Sequence, residues 1–149
     1  MPGAQICLRP ATQDDVPFLL GLRQQTMDAH LFASGLVPSV EEHLQRVLYR
    51  LDCAQIIQLA GEAVGLLKVS RDDGDWCLIQ IQVRPGSQGQ GLGRQLIQSV
   101  IDEGRKAGAS LRLGVLKANP ALRLYQRLGF TVVRESIYAY EMRLEGDIL

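Results

Sequence analysis

Residues 84–97 read RPGSQGQGLGRQLI, and this stretch constrains the fold more than any other. Gly86, Gly89, Gly91 and Gly93 crowd together directly ahead of an apolar run with helical spacing: Leu92, Leu96, Ile97, Val100 and Ile101. Glycine in a first helical turn costs roughly 0.5–1 kcal/mol against alanine. Two of them there, Gly91 and Gly93, need a reason. One is a tight turn. Another is a cradle whose backbone N–H groups face an anion, with the positive end of the helix behind it. Before the loop, WCLIQIQV (76–83) alternates as a strand, with Ile79, Ile81 and Val83 expected on one face and Gln80 and Gln82 on the other. The segment is therefore strand, glycine loop, helix.

The remainder supplies the elements around it. ICLRPA (6–11) reads as a first strand, and Thr12 is a candidate N-cap for the helix that follows. Pro17 suits only the beginning of a helix, which places the true start later or bends it. SVEEHLQRVLYRL (39–51) opens with a Ser39/Glu42 capping box, and Val40, Leu44, Val47, Leu48 and Leu51 share a face. CAQIIQLA and AVGLLKVS are strand-like runs separated by GE, and RDDGD makes the next turn into 76–83. Beyond the glycine helix, LRLGVL (111–116) is a strand. NPALRLYQRLGF is a helix with Asn119 as N-cap, Pro120 at its first position and Gly129 past its end. FTVVRE and AYEMRL end the chain as strands. The order β-α-α-β-β-β-α-β-α-β-β predicts an α/β (α+β) fold: a mixed, mostly antiparallel central sheet of about six or seven strands with about four helices.

At 149 residues the chain is expected to form a single domain, 1–149. Sixteen basic and sixteen acidic residues cancel, so no overall field points to nucleic acid or an anionic membrane. No apolar run is long enough to span a membrane, and the first ten residues lack the shape of a signal peptide. Cys7, Cys53 and Cys77 are scattered without metal-ligand spacing, so no metal is expected and the setting reads as a reducing cytoplasm. RDDGD lacks the full oxygen-ligand spacing of a cation loop. Glu41, Glu42 and His43 read as solvated residues near the start of their helix.

Common nucleotide loops do not match. A Walker A loop requires Lys-Ser/Thr where Leu92-Gly93 stands, and a dinucleotide fingerprint requires glycine where Arg94 stands. Gln88-Gly89-Gln90-Gly91-Leu92-Gly93 instead resembles the Gln/Arg-x-x-Gly-x-Gly/Ala signature of the Gcn5-related N-acetyltransferases, the GNAT superfamily. Downstream, NPALRLYQRLGF is similar to that family's second motif, Asn-x-x-Ala/Leu…Tyr-x-x-x-Gly-Phe. The resemblance is strong from 76 to 130 and weak before residue 55.

It implies a sheet splayed in the middle, with the pantetheine arm of acetyl-CoA pairing along Ile81, Gln82 and Val83. Gln88, Gly89, Gln90, Gly91, Leu92, Gly93 and Arg94 would wrap the pyrophosphate, and Arg84 and Arg94 would add charge-assisted bonds. Asn119 would reach the pantetheine amide. Tyr125 would be the catalytic acid on the departing thiolate. The expected reaction is direct acetyl transfer from acetyl-CoA to a primary amine of a small molecule or a peptide, with no acyl-enzyme. Cys77 keeps a ping-pong route open. Many family members carry a glutamate base on the strand before the loop, whereas this chain has Gln80 and Gln82. That favours a small or low-pKa amine, or a water relay held by Gln80 and Gln82, with His30 near the acceptor entrance. Two alternatives stand beside this reading: a CoA-binding regulatory module without catalysis, and an acetyltransferase of protein N-termini or lysines. A homodimer through a sheet edge such as AYEMRL is expected by analogy.

Overall fold

The computed structural model describes residues 5–145. Seven strands form a single sheet: β1 (Ile6–Pro10), β2 (Ala54–Leu59), β3 (Glu62–Asp72), β4 (Asp75–Val83), β5 (Ser110–Leu116), β6 (Thr131–Glu135) and β7 (Ala139–Leu144). Four helices accompany them: α1 (Val16–Ala33), α2 (Val40–Leu48), α3 (Leu92–Ala107) and α4 (Ala121–Arg127). The expected order holds throughout. The spatial order is β1-β2-β3-β4-β5-β7-β6, antiparallel except where β4 meets β5. β7 is therefore interior, and AYEMRL is not an edge as the sequence suggested; the edges are β1 and β6.

The two faces carry separate cores. α3 and α4 cover Leu67, Val69, Trp76, Leu78, Leu111, Leu113 and Val115. α1 and α2 cover a smaller cluster around Ala54, Ile56 and Leu66. α3 lies so close to the sheet that a Cβ on Gly104 would meet Leu111 Cδ1 at 2.6 Å.

Several local expectations shift. Thr12 caps a 3-10 turn at Gln13–Asp15, and α1 begins at Val16, with Pro17 in its first turn. The two-residue turn after β2 is Ala60-Gly61, both with positive φ, rather than GE. The Ser39/Glu42 capping box forms as read, but the inner face of α2 does not. Val40 is 58% exposed and Leu48 43%, while His43 is only 3% exposed. Val47 is buried as the spacing predicted and Leu51 packs on the same cluster, but α2 turns His43 inward beside Val47 and leaves Val40 and Leu48 at the surface.

β4 also breaks its alternation. Pairing with β3 slips between Lys68 and Val69, leaving Ile79 as an extra residue opposite them. Trp76 and Leu78 before the bulge, and Ile81 and Val83 after it, then pack on the same core. Ile79 leaves that set. Gln80 and Gln82 turn to the α1/α2 face.

Among the described residues no helix is long and apolar enough to cross a membrane.

Candidate active site

β4 and β5 are paired only from Asp75↔Ser110 to Leu78↔Leu113. Beyond the bulge they part, so the β5-facing edge of residues 79–83 has no strand beside it. A cavity of about 410 Å³ occupies the opening. It runs from α1 and α2 on one face of the sheet to Asn119 and Tyr125 on the other. Of the residues singled out from the sequence, Gln80, Ile81, Gln82, Asn119 and Tyr125 line it together.

Each is held by its element. Asn119 Oδ1 accepts a hydrogen bond from the Ala121 N–H at 2.9 Å. α4 thus starts one residue later than expected, with Pro120 at the cap position and Asn119 doing the capping. Tyr125 is buried on α4, its ring edge-on to Phe130 at 6.0 Å between centroids. Burial pushes its phenol up to about 12, so it keeps its proton at any physiological pH. Gln82 is 5% exposed, and the side-chain oxygens of both Gln80 and Gln82 are buried without a hydrogen-bond donor. Buried amide oxygens left unpaired cost about 1–3 kcal/mol each, a deficit that a ligand N–H or a water relieves. Cys77 also lines the cavity, but burial pushes its thiol up, away from the thiolate a nucleophile requires.

The glycine loop lies outside the cavity, where β4 runs into α3. Gly89 (φ 80°) and Gly91 (φ 77°) are left-handed, and a Cβ at Gly89, Gly91 or Gly93 would meet nothing within 4 Å. The space before them is open. Gly91 caps α3 with no side-chain hydrogen bond, and the first intrahelical bond is Gln95 N–H to the Gly91 carbonyl. The N–H groups of Leu92, Gly93 and Arg94 therefore point out of the helix unpaired within it. Gln88 donates from Nε2 to the Val83 carbonyl at 2.8 Å and ties the loop to the strand end. Gln90 is exposed. Arg94 is exposed and has no carboxylate partner among the described residues, whereas Arg84 is engaged by Glu62 at 2.9 Å and by Ser87. His30 is partly buried on α1 but does not line the cavity; Arg23, Met27 and Leu31 do so from that helix.

The α1/α2 side of the cavity holds what the sequence did not disclose. Arg23 donates from Nε to His43 Nδ1 at 3.1 Å, and His43 Nε2 lies 2.7 Å from Asp28 Oδ1. A guanidinium Nε–H can only donate, so Nδ1 is the acceptor and Nε2–H donates to Asp28. His43 is thus a buried link, not the solvated residue expected. Burial and then the nearby Arg46 push the Arg23 guanidinium down to about 10. Under them Lys68, fully buried, donates to the carbonyls of Arg46, Val47 and Tyr49 at the end of α2. The sequence signal for these groups was slight: polar residues on two helices, and a lysine within the apolar run of β3.

The sequence matches the Acetyltransferase (GNAT) family over residues 23–130. It is 42% identical over 57 residues to the L-methionine sulfoximine/L-methionine sulfone acetyltransferase of Salmonella typhimurium. That match covers 37% of this chain and 33% of the relative, so the chain aligns with about a third of the relative's length. An acetyltransferase from Thermus thermophilus superposes with a TM-score of 0.73 at 25% identity, over 97% of this chain and 99% of that one. The PaiA N-acetyltransferase of Thermoplasma acidophilum, solved in complex with coenzyme A, gives a TM-score of 0.73 at 15% identity, over 95% and 99%.

Proposed function

The chain belongs to the acetyltransferase (GNAT) family, and from that premise we propose that it transfers the acetyl group of acetyl-CoA to a primary amine of a small molecule. The observation that carries the reading is the open edge of β4 past Leu78, with the unpaired N–H groups of α3 at one end and Tyr125 at the other. The residues present suit the cosubstrate. An extended arm would add to the edge of residues 81–83 as a strand does. The first turn of α3, Gly89, Gly91 and Arg94 would receive the pyrophosphate. Asn119 and the orphaned Gln82 amide oxygen offer polar partners along the arm. The thioester supplies an activated acetyl group.

The amine attacks the thioester carbonyl carbon, the C–N bond forms, and the C–S bond breaks. The attacking nitrogen loses its extra proton to water, Tyr125 donates its proton to the departing sulfur, and the tyrosine regains one from solvent, leaving amide and free thiol. A thiol of pKa ~8.5 already leaves readily, so this acid accelerates the step without being indispensable. The raised Cys77 thiol favours direct transfer over an acyl-enzyme. The cationic acceptor side argues against a lysine-rich peptide as the partner. Three free cysteines suit a reducing cytoplasm. A second copy joining the sheet would have to use β6 or β1.

Thermal unfolding with acetyl-CoA, CoA, ATP or NAD at equal concentration tests the reading. A ligand at ~100 times its Kd adds about 2.7 kcal/mol, a shift of several degrees. The expected result is a shift with acetyl-CoA and CoA alone, followed by amine-dependent thiol release. A shift shared with ATP and NAD, or none, overturns it. A shift without thiol release from any amine would favour the regulatory alternative.

A further inference from the structure

Resting on the acetyl-transfer reading, we infer that the acceptor carries a carboxylate, held by Arg23 and Arg46, beside the amine that is acetylated. Arg23 on α1 and Arg46 on α2 both line the cavity, on the side away from Asn119 and Tyr125. Neither forms an ion pair with any described carboxylate, whereas the neighbouring Arg50 is occupied by Asp52 and Asp72, and Arg112 by Asp75. The one carboxylate that favours the charge on Arg23, Asp28, spends its oxygen on His43.

The arrangement is built rather than incidental. Asp28 fixes the His43 ring, the ring takes the Arg23 Nε–H, and no described group takes the two Nη groups of this cavity-lining residue. A guanidinium steered by its Nε and free at its fork is the geometry that receives a planar carboxylate. Lys68, fully buried behind the end of α2, deepens the positive potential. Arg23 and Lys68 are buried and Arg46 stands at the exposed rim beside them, and like charges gathered in this way are costly without an anion among them. Gln80 and Gln82 supply no charge to offset them.

The pair also accounts for the missing base. In a free amino acid the carboxylate stabilises the neighbouring ammonium. Pairing that carboxylate with two guanidinium groups removes this support, and the adjacent cations favour the neutral amine. The proton then leaves to solvent or through water at the orphaned Gln80 and Gln82 oxygens, and no carboxylate base is required. His43 and Asp28 act as positioning residues for Arg23.

The test compares L-amino acids with the amines that lack only their carboxylate, following thiol release from acetyl-CoA. The preferred amino acid should exceed its decarboxylated counterpart at least thirtyfold in kcat/KM. Arg23→Gln and the exposed-side variant Arg46→Gln should each raise its KM tenfold or more and leave the decarboxylated amine within about twofold. Arg46→Gln should also move the acidic limb of the kcat–pH profile to higher pH, which a purely structural defect would not do. Equal turnover of both acceptor kinds, or equal losses with both in the variants, overturns the inference and leaves acetyl transfer intact. Calorimetric titration of the amino acid into CoA-loaded protein separates the two ideas. Binding lost in Arg46→Gln without thiol release from any acceptor sinks acetyl transfer and keeps the carboxylate site. No binding and no release sinks both.

Discussion

Tyr125, proposed above as the acid, is also an ordinary core residue. On spacing alone it belongs to the apolar face of α4, and it does pack there, against Phe130. Tyr125 nevertheless lines the cavity, and burial holds the proton on its hydroxyl. Tyr125→Phe keeps the ring and removes the acid, so kcat is expected to fall at least about tenfold with acetyl-CoA affinity nearly unchanged. Steady-state kinetics with a titration of acetyl-CoA checks this, and an unaltered kcat would remove Tyr125 from the chemistry. Residues tied to backbone geometry were legible in this way: Gly89 and Gly91 adopt the left-handed conformations their loop suggested. Arg23 and Arg46 were not. They lie on different helices, they cancel within a chain of zero net charge, and only the packing of α1 on α2 brings them into one cavity.

At the scale of elements, α2 depends on Lys68 for its end. The helix stops at Leu48, Arg50 follows in a left-handed conformation, and the last carbonyls find the Lys68 ammonium instead of a glycine cap. Lys68→Met would strand those carbonyls in the interior, at a cost of about 1–3 kcal/mol at neutral pH. Burial, with Arg23 and Arg46 nearby, pushes the ammonium down to about 8 from the 10.5 of a free lysine. Between those values the unfolded chain holds a proton that the folded protein has released. This group therefore makes stability rise with pH across that window and contributes no slope below it. Urea unfolding from pH 7 to 10.5 should show that rise in the wild type and a flatter profile in Lys68→Met. A steeper profile in the variant would mean the ammonium is not the group titrating. Element boundaries were readable from caps and periodicity, Ser39 and Gly129 among them. They failed where tertiary structure intervened: the Ile79 bulge resets the faces of β4, and α2 buries His43 beside Val47 while Val40 and Leu48 of the expected stripe stay exposed.

For the molecule as a whole, the sheet separates two layers of unequal strength. α3 and α4 share the larger core with both halves of the sheet, while α1 and α2 rest on a smaller cluster and a hydrogen-bonded polar chain. Local opening follows buried apolar contact, so the amides of α2 should exchange with deuterium sooner than those in the middle of α3. The two substrates should then protect different layers. On the proposed reading acetyl-CoA would bridge the end of β4 and the start of α3, in the layer with the larger core, and should slow exchange there. A carboxylate on Arg23 and Arg46 would tie α1 to α2, and should slow exchange in the weaker layer. Hydrogen exchange with CoA alone, with an accepted amino acid alone and with both measures this directly. Protection of α1 and α2 by the amino acid, greater when CoA is also present, would mean that the second substrate completes a layer the free protein leaves loose. Uniform protection, or faster exchange in α3 than in α2, would show instead that the sheet does not divide the molecule into layers of unequal stability.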